Sequence, residues 1–344
     1  MQKIFGSTFY IKGGFKFKDK YIYLLTTMKI LYGTKDKNID VTDVCYKKLM
    51  KENIIKIPRN DNARADIFTD PCFRVLKVVM VMNEDNSLIE FDYTNDIYID
   101  TNANKIYVKD IPEYIKRVYP DYDEKLRDIH KHLKIGYGTF EEEYPEQTMS
   151  VRYLTGNEKV LEIGSNIGRN SLIINYILSQ NNSNKKNNNF VTLECDTGIA
   201  DILKYNRDLN NFDFHIENAA LSKRRLIQKG WNTICSDVLL DGYKNVNTIT
   251  LDELNKKYNI EFDTLVLDCE GAFYYILMDM PEILNNIKLI IMENDYHDIN
   301  HKKCVDEILA KNNFYVEYSE KGCSLAKKIF PQTFENFYEV WKKR

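Results

Sequence analysis

Three short stretches place carboxylates and glycines where they could handle a small ligand. In VLEIGSNIG an apolar run meets Glu162, and Gly164 and Gly168 bracket Ser165 and Asn166 in a strand-to-helix turn. FVTLEC carries Glu194 at the end of its apolar run, and LVLDCEG puts Asp268 and Glu270 just before Gly271. Glycine lets a turn adopt positive φ and lets backbone come close to a ligand. The dinucleotide fingerprint G-x-G-x-x-G is absent; the pattern is E-x-G-x-N-x-G. A pyrophosphate beside Glu162 would meet a like charge, whereas a ligand with a cationic group and hydroxyls suits the turn.

S-adenosylmethionine has those features: an ammonium, a sulfonium and a ribose diol. Glu194, at a strand end, is placed to accept both ribose hydroxyls; taken alone it reads equally well as a solvated carboxylate. Asn218 and Ala219, after the third apolar run, either line an adenine pocket or form a plain turn. Asp268 and Glu270 read as the end of a buried strand, where residues two apart point the same way. Two carboxylates aimed into one cleft are costly unless they meet a proton, a cation or hydroxyl donors. Capping the following helix would account for one of them better than for both.

The elements that must position these residues can be read from Val160 onward. Apolar runs (VLEIG, FVTLEC, FDFHIENAAL, DTLVLDC, KLIIMEN) alternate with stretches of helical spacing. That pattern predicts an α/β fold, a Rossmann-like parallel sheet with helices on both faces, whose ligands sit at the carboxyl ends of the strands. The expected domains are a small, mostly antiparallel β domain over 1–108, a helical connector over 109–150 and the Rossmann-like domain over 151–344. Within them, VTDVCYKKLMKEN is expected as one short helix and RNDNARADIFTDP as an exposed loop. QNNSNKKNNN is expected as an exposed, mobile loop. FEEEYPEQ reads as a charged connector, the alternative being that Glu146 or Gln147 turns inward over a cofactor mouth. NFYEVWKKR is expected as a helix with Phe337 and Trp341 on one face.

The 344 residues are 44% hydrophobic and 29% charged, with a formal net charge of −3. Near-balance gives no general attraction to nucleic acid or an anionic membrane. The seven cysteines are scattered and form no C-x-x-C pair, which favours free thiols in a reducing, cytoplasmic setting over a disulfide framework. No apolar run approaches the about 20 residues needed to span a bilayer, and the N-terminal residues do not read as a signal peptide. No membrane partner is expected.

Taken in order, VLEIGSNIG at 160–168, Glu194, NAAL at 218–221, TITLDEL at 248–254, LDCEG at 267–271 and IME at 291–293 resemble the FkbM-family S-adenosylmethionine-dependent methyltransferases. The resemblance covers roughly Phe140 to Phe330. The Asn- and Lys-rich style with its FEEEYPEQ lead-in is similar to versions encoded by large DNA viruses. The resemblance implies a seven-stranded Rossmann-like sheet and methyl transfer to oxygen, commonly a hydroxyl of a sugar or related metabolite. It implies that Glu162, Gly164, Asn166, Gly168 and Glu194, with Ser165 in the same turn, hold the cofactor. It also implies that Asp268 and Glu270 face the reaction centre. Phe273 departs from the pattern, standing where many members carry a second acidic residue, and the N-terminal β domain lies outside the family's core.

A sugar hydroxyl is a weak nucleophile, so a base within hydrogen-bond reach is expected. Asp268 is read as base or hydroxyl orienter with Glu270 supporting it, and His297 is the rival base. Asp268, Glu270, Glu293 and His297 could share a divalent metal, but no spacing demands one and none is expected. Lys223, Arg224, Arg225 and Lys229 read as a solvated basic face before they read as a phosphate grip. The acceptor is expected to be a small molecule or glycan hydroxyl. Three other readings stay open. One is RNA ribose 2′-O-methylation with Lys302 or Lys303 near the acceptor, which the acidic balance disfavours. Another is a binding scaffold with a relic pocket. A nicotinamide dehydrogenase, which lacks its fingerprint here, is the third. The β domain carries no readable chemistry and its role is open; substrate docking and self-association into a homo-oligomer are the two hypotheses for it.

Overall fold

The computed structural model describes residues 28–82, 87–180 and 189–344. The run FYIKGGFKF and nearly all of QNNSNKKNNN lie outside the described residues. Contacts divide the chain after Asp121 into two compact units. Segment 109–150 is thereby shared: the helix Glu113–Val118 belongs to the first unit, and two further helices belong to the second.

The first unit builds two four-stranded antiparallel sheets. Alternate residues of both, including Ile30, Tyr32, Val79, Val81, Ile55, Ile57, Ile97 and Ile99, meet in one core. Two expectations for this unit are corrected. VTDVCYKKLMKEN gives only Thr42–Val44 as α-helix, then a wider π-turn over Cys45–Leu49 and a strand at Met50–Lys51. RNDNARADIFTDP is not an exposed loop: Asn60 caps a helix over Asp61–Phe68, and Arg64 is fully buried. Its guanidinium donates to the carbonyls of Pro58, Asp92 and Asn95, so its burial is matched by three acceptors.

The second unit is the expected Rossmann-like sheet. Its strands are β1 (Val160–Ile163), β2 (Phe190–Leu193), β3 (His215–Glu217), β4 (Thr264–Leu267), β5 (Leu289–Glu293), β6 (Phe314–Glu320) and β7 (Tyr338–Lys343). Their spatial order is 3-2-1-4-5-7-6. The first five run parallel, and β7 inserts antiparallel between β5 and β6. β1, β2 and β4 are buried at every position, as a sheet covered on both faces requires. The order reverses between β1 and β4, the place where such sheets bind ligands.

Helices α1 (Tyr122–His130), α2 (Tyr144–Tyr153), α3 (Arg169–Gln180), α4 (Thr197–Leu209), α5 (Leu251–Tyr258), α6 (Phe273–Asp279), α7 (Ile299–Lys311) and α8 (Ser324–Ile329) complete the unit. One face of the sheet packs Leu161, Val191, Leu265 and Ile290 with residues of α5, α6 and α7. The other packs Val160, Phe190, Val266 and Ile291 with α1, α2 and α3. Thr250 caps α5 through a reciprocal box with Glu253. Thr250→Ala is expected to cost about 1 kcal/mol; a denaturant midpoint unmoved by the substitution would show that the cap adds nothing.

NFYEVWKKR is strand β7, not a helix. Tyr338 and Val340 face one core and Trp341 the other, so a strand buried on both faces carries no period to read. Residues 226–246 hold a three-stranded antiparallel sheet that the sequence reading did not anticipate.

Candidate functional site

The turn after β1 is built by its neighbours. The Leu193 carbonyl accepts the N–H groups of Gly164 and Ser165 and the Ser165 hydroxyl. Asn166 N–H donates to Glu194 Oε2 at 3.0 Å, Ile167 N–H to the Asn166 side chain, and Gly168 N–H to the Ser165 carbonyl. Every N–H from Gly164 to Gly168 is therefore engaged, so the turn offers no anion-binding nest. Gly164 has φ +84°, and a Cβ there would fall 1.6 Å from the Asp268 carbonyl oxygen. At Gly168, with φ +92°, a Cβ would meet Leu203 at 2.4 Å. Both glycines thus serve close chain packing, not only ligand approach.

Carboxylates surround this turn. Glu162 is buried and accepts from Ser171 and Thr192; burial pushes it up to about 7. Glu194 accepts the N–H of Asp196 at 2.8 Å as well as that of Asn166, and burial raises it too. Asn218 sits beside it, its side-chain amide donating to the Glu194 carbonyl, and Ala219 is buried next in line. The turn, Glu194 and Asn218–Ala219 are thus brought together at the ends of β1, β2 and β3.

Asp268 and Glu270 are not brought together as a strand pair. β4 ends at Leu267, and Glu270 stands in the left-handed region with φ +52°, exposed. The two-residue periodicity therefore does not apply, because the chain has already turned. Asp268 instead continues the face of Val266, and Glu293 that of Ile291, so the ends of β4 and β5 align these two carboxylates. His297 lies on the exposed rim against Phe330, within electrostatic reach of Glu270.

FEEEYPEQ is not a plain connector. It opens α2, with Glu146 and Gln147 both buried. Gln147 donates to the carbonyls of Phe140 and Glu142. Arg169 ties the segment to the turn by donating to the Thr139 carbonyl, Glu142 and Glu143, while Asn166 donates to Glu143 at 3.0 Å. Glu143, Glu146, Glu162, Gly164, Asp268 and Glu293 line one enclosed space of about 10 Å³, the room of a single water or ion. Burial pushes Glu143 up to about 7. Burial and then the charges of Asp295 and Glu146 hold Asp268 well above the carboxylate range, and burial with Glu146 does the same to Glu293. The structure follows the alternative reading of this stretch, in which Glu146 or Gln147 turns inward, whereas Glu143 and Asp295 were not among the sequence-derived site residues.

Two peripheral candidates are accounted for otherwise. Arg224 pairs bidentately with Asp279, and Lys223 donates to the Asp279 carbonyl, so neither presents a phosphate grip. Lys302 is buried between Asp306 and Glu339, away from any acceptor role. Among the described residues no helix is long and apolar enough to cross a membrane.

No family model matches the chain, and no curated protein matches it. Among solved structures, it is similar to an O-methyltransferase from Bacillus cereus in complex with SAH, at 16% identity over 67% of this chain and 96% of that one, TM-score 0.37. It is similar to the O-methyltransferase TomG from Streptomyces achromogenes in complex with SAM, at 10% identity over 67% and 94%, TM-score 0.36. A third is the ribosomal protein L11 methylase from Lactobacillus delbrueckii subsp. bulgaricus, at 10% identity over 61% and 82%, TM-score 0.35.

Proposed function

We propose that the second unit is an S-adenosylmethionine-dependent methyltransferase of FkbM type, acting on a hydroxyl oxygen of a sugar, glycan or nucleotide-linked sugar. The observation that carries the reading is the polarity of the β1 turn. Its N–H donors are all used internally, and its surroundings are carboxylates, so it suits a cation with hydroxyls and disfavours a pyrophosphate. S-adenosylmethionine, when bound, supplies an electrophilic methyl group on a sulfonium. Glu194 accepts from the ribose diol with the lone pairs left over from its two backbone partners. Glu162 and Glu143 offer negative charge to the cationic end, and Asn218 with Ala219 borders the adenine.

The segment from Thr139 to Gln147 borders the enclosed space, and Arg169 ties it to the β1 turn. On the acceptor side, burial raises the Asp268 carboxyl above its ordinary range, and its place at the end of β4 fits it to orient the acceptor hydroxyl. His297, on the rim, is the group free to take the proton outward.

The test is calorimetric. Wild-type protein is expected to bind S-adenosylmethionine with micromolar affinity and NAD not at all. Glu194→Ala should weaken binding by roughly 100-fold or more, the worth of two hydrogen bonds to a charged acceptor, with circular dichroism confirming that the variant folds. Nanomolar-to-micromolar NAD binding, or no binding to a folded wild type, sinks the reading. If binding holds, nucleotide-sugars and glycans are the first acceptors to screen for methyl transfer.

A further inference from the structure

The geometry points to a divalent cation site at the ends of β4 and β5, closed from above by the first turn of α2. Its ligands are Glu146, Asp268 and Glu293. One oxygen from each lies within 4.8 Å of the other two. The three side chains line the same enclosed space, which holds about 10 Å³.

A cluster of acids alone would be weak ground, and a second observation supports it. Glu146 is 93% buried by its 7% exposure, and its Oε2 has no hydrogen-bond partner although the side chain lines the space. An orphaned carboxylate oxygen in the interior is costly. A cation between such oxygens, or a shared proton, relieves that cost. The nearby guanidinium of Arg169 does not fill that part, because it is engaged by the Thr139 carbonyl, Glu142 and Glu143.

The donor set is all carboxylate, which selects a hard ion over zinc or copper. Oxygens within 4.8 Å of one another are close enough for one central ion to reach all three. The set fits Ca²⁺, Mg²⁺ or Mn²⁺.

This inference does not rest on the methyl-transfer reading, and its test uses the metal alone. Chelator-stripped full-length protein is titrated with Mn²⁺ and followed by electron paramagnetic resonance, then competed with Ca²⁺ and Mg²⁺. One Mn²⁺ per chain is expected, displaced by excess Ca²⁺ or Mg²⁺. Glu146→Gln and Glu293→Gln should each weaken binding at least tenfold. Glutamine keeps the size and hydrogen-bonding capacity of each side chain, so the metal-free variants should melt no lower than wild type, and the melting gain on adding Ca²⁺ should vanish. Absence of stoichiometric binding, or variants that bind as wild type does, overturns the proposal. So does a fall in melting temperature of the metal-free variants, because Glu146 and Glu293 would then be a proton-sharing pair needing no ion.

Discussion

Gly164→Ala is expected to destabilise the second unit by roughly 3–5 kcal/mol and to lower its Tm by roughly 10 °C or more. Two causes add. An alanine at φ +84° pays the left-handed penalty, and its methyl would lie 1.6 Å from the Asp268 carbonyl oxygen. That oxygen is backbone, at the exit of β4, and cannot swing aside as a side chain would. The strand ends would have to separate, carrying Asp268 away from Glu293. Gly230 is the control: it also has positive φ, +57°, but nothing lies within 4 Å of a Cβ there. Gly230→Ala should cost only about 1 kcal/mol. Thermal unfolding of both variants decides the matter. Equal, small losses would mean that β1 and β4 can part freely at their ends. Intact stability with lost ligand binding would assign Gly164 to the ligand alone.

The same residue shows what a sequence can and cannot convey about this site. Glycine in a strand-to-helix turn was visible, and so was the sheet that carries it, because apolar runs and helical spacing are local signals. The crossing of β4 over that glycine is not local, and neither is the alignment of Asp268 with Glu293. Both depend on which strands become neighbours, as the pairing of Leu267 with Met292 makes plain. The reading of Asp268 with Glu270 failed because it extended a strand's two-residue period past the strand's last residue, Leu267. Glu146 was visible as a charge that could turn inward, but its burial comes from its place in the first turn of α2, packed against β5. Strand β7 and helix Asp61–Phe68 were misread for a related reason. Burial on both faces erases the period of β7, and the buried Arg64 looks like surface polarity until its three carbonyl partners are in place.

Glu162→Gln is expected to stabilise the protein, and to do so only at higher pH. Glu162 is buried on the sheet face that meets α3, and burial pushes its carboxyl from 4.5 to about 7, with Glu143 and Glu194 adding like charge and the Ser171 and Thr192 hydroxyls opposing the shift. The native state therefore holds a proton there that the unfolded chain has released between about pH 4.5 and 7. Linkage then requires stability to fall as pH rises through that window, because the unfolded state binds fewer protons. Below it, acid and amide should be nearly equivalent. Above it, the wild type carries the cost of a buried charge, on the order of 3 kcal/mol, and the glutamine does not, since one amide oxygen can still accept from both hydroxyls. The variant's Tm should match wild type near pH 4.5 and exceed it by roughly 5–10 °C at pH 8. A gap that stays constant across that range would mean Glu162 ionises as freely as a surface acid. If a cationic ligand occupies the turn, it should close the gap from the other side, raising the wild type far more than the variant at pH 8. A residue that costs the empty protein stability at neutral pH and recovers it on binding is kept for the ligand.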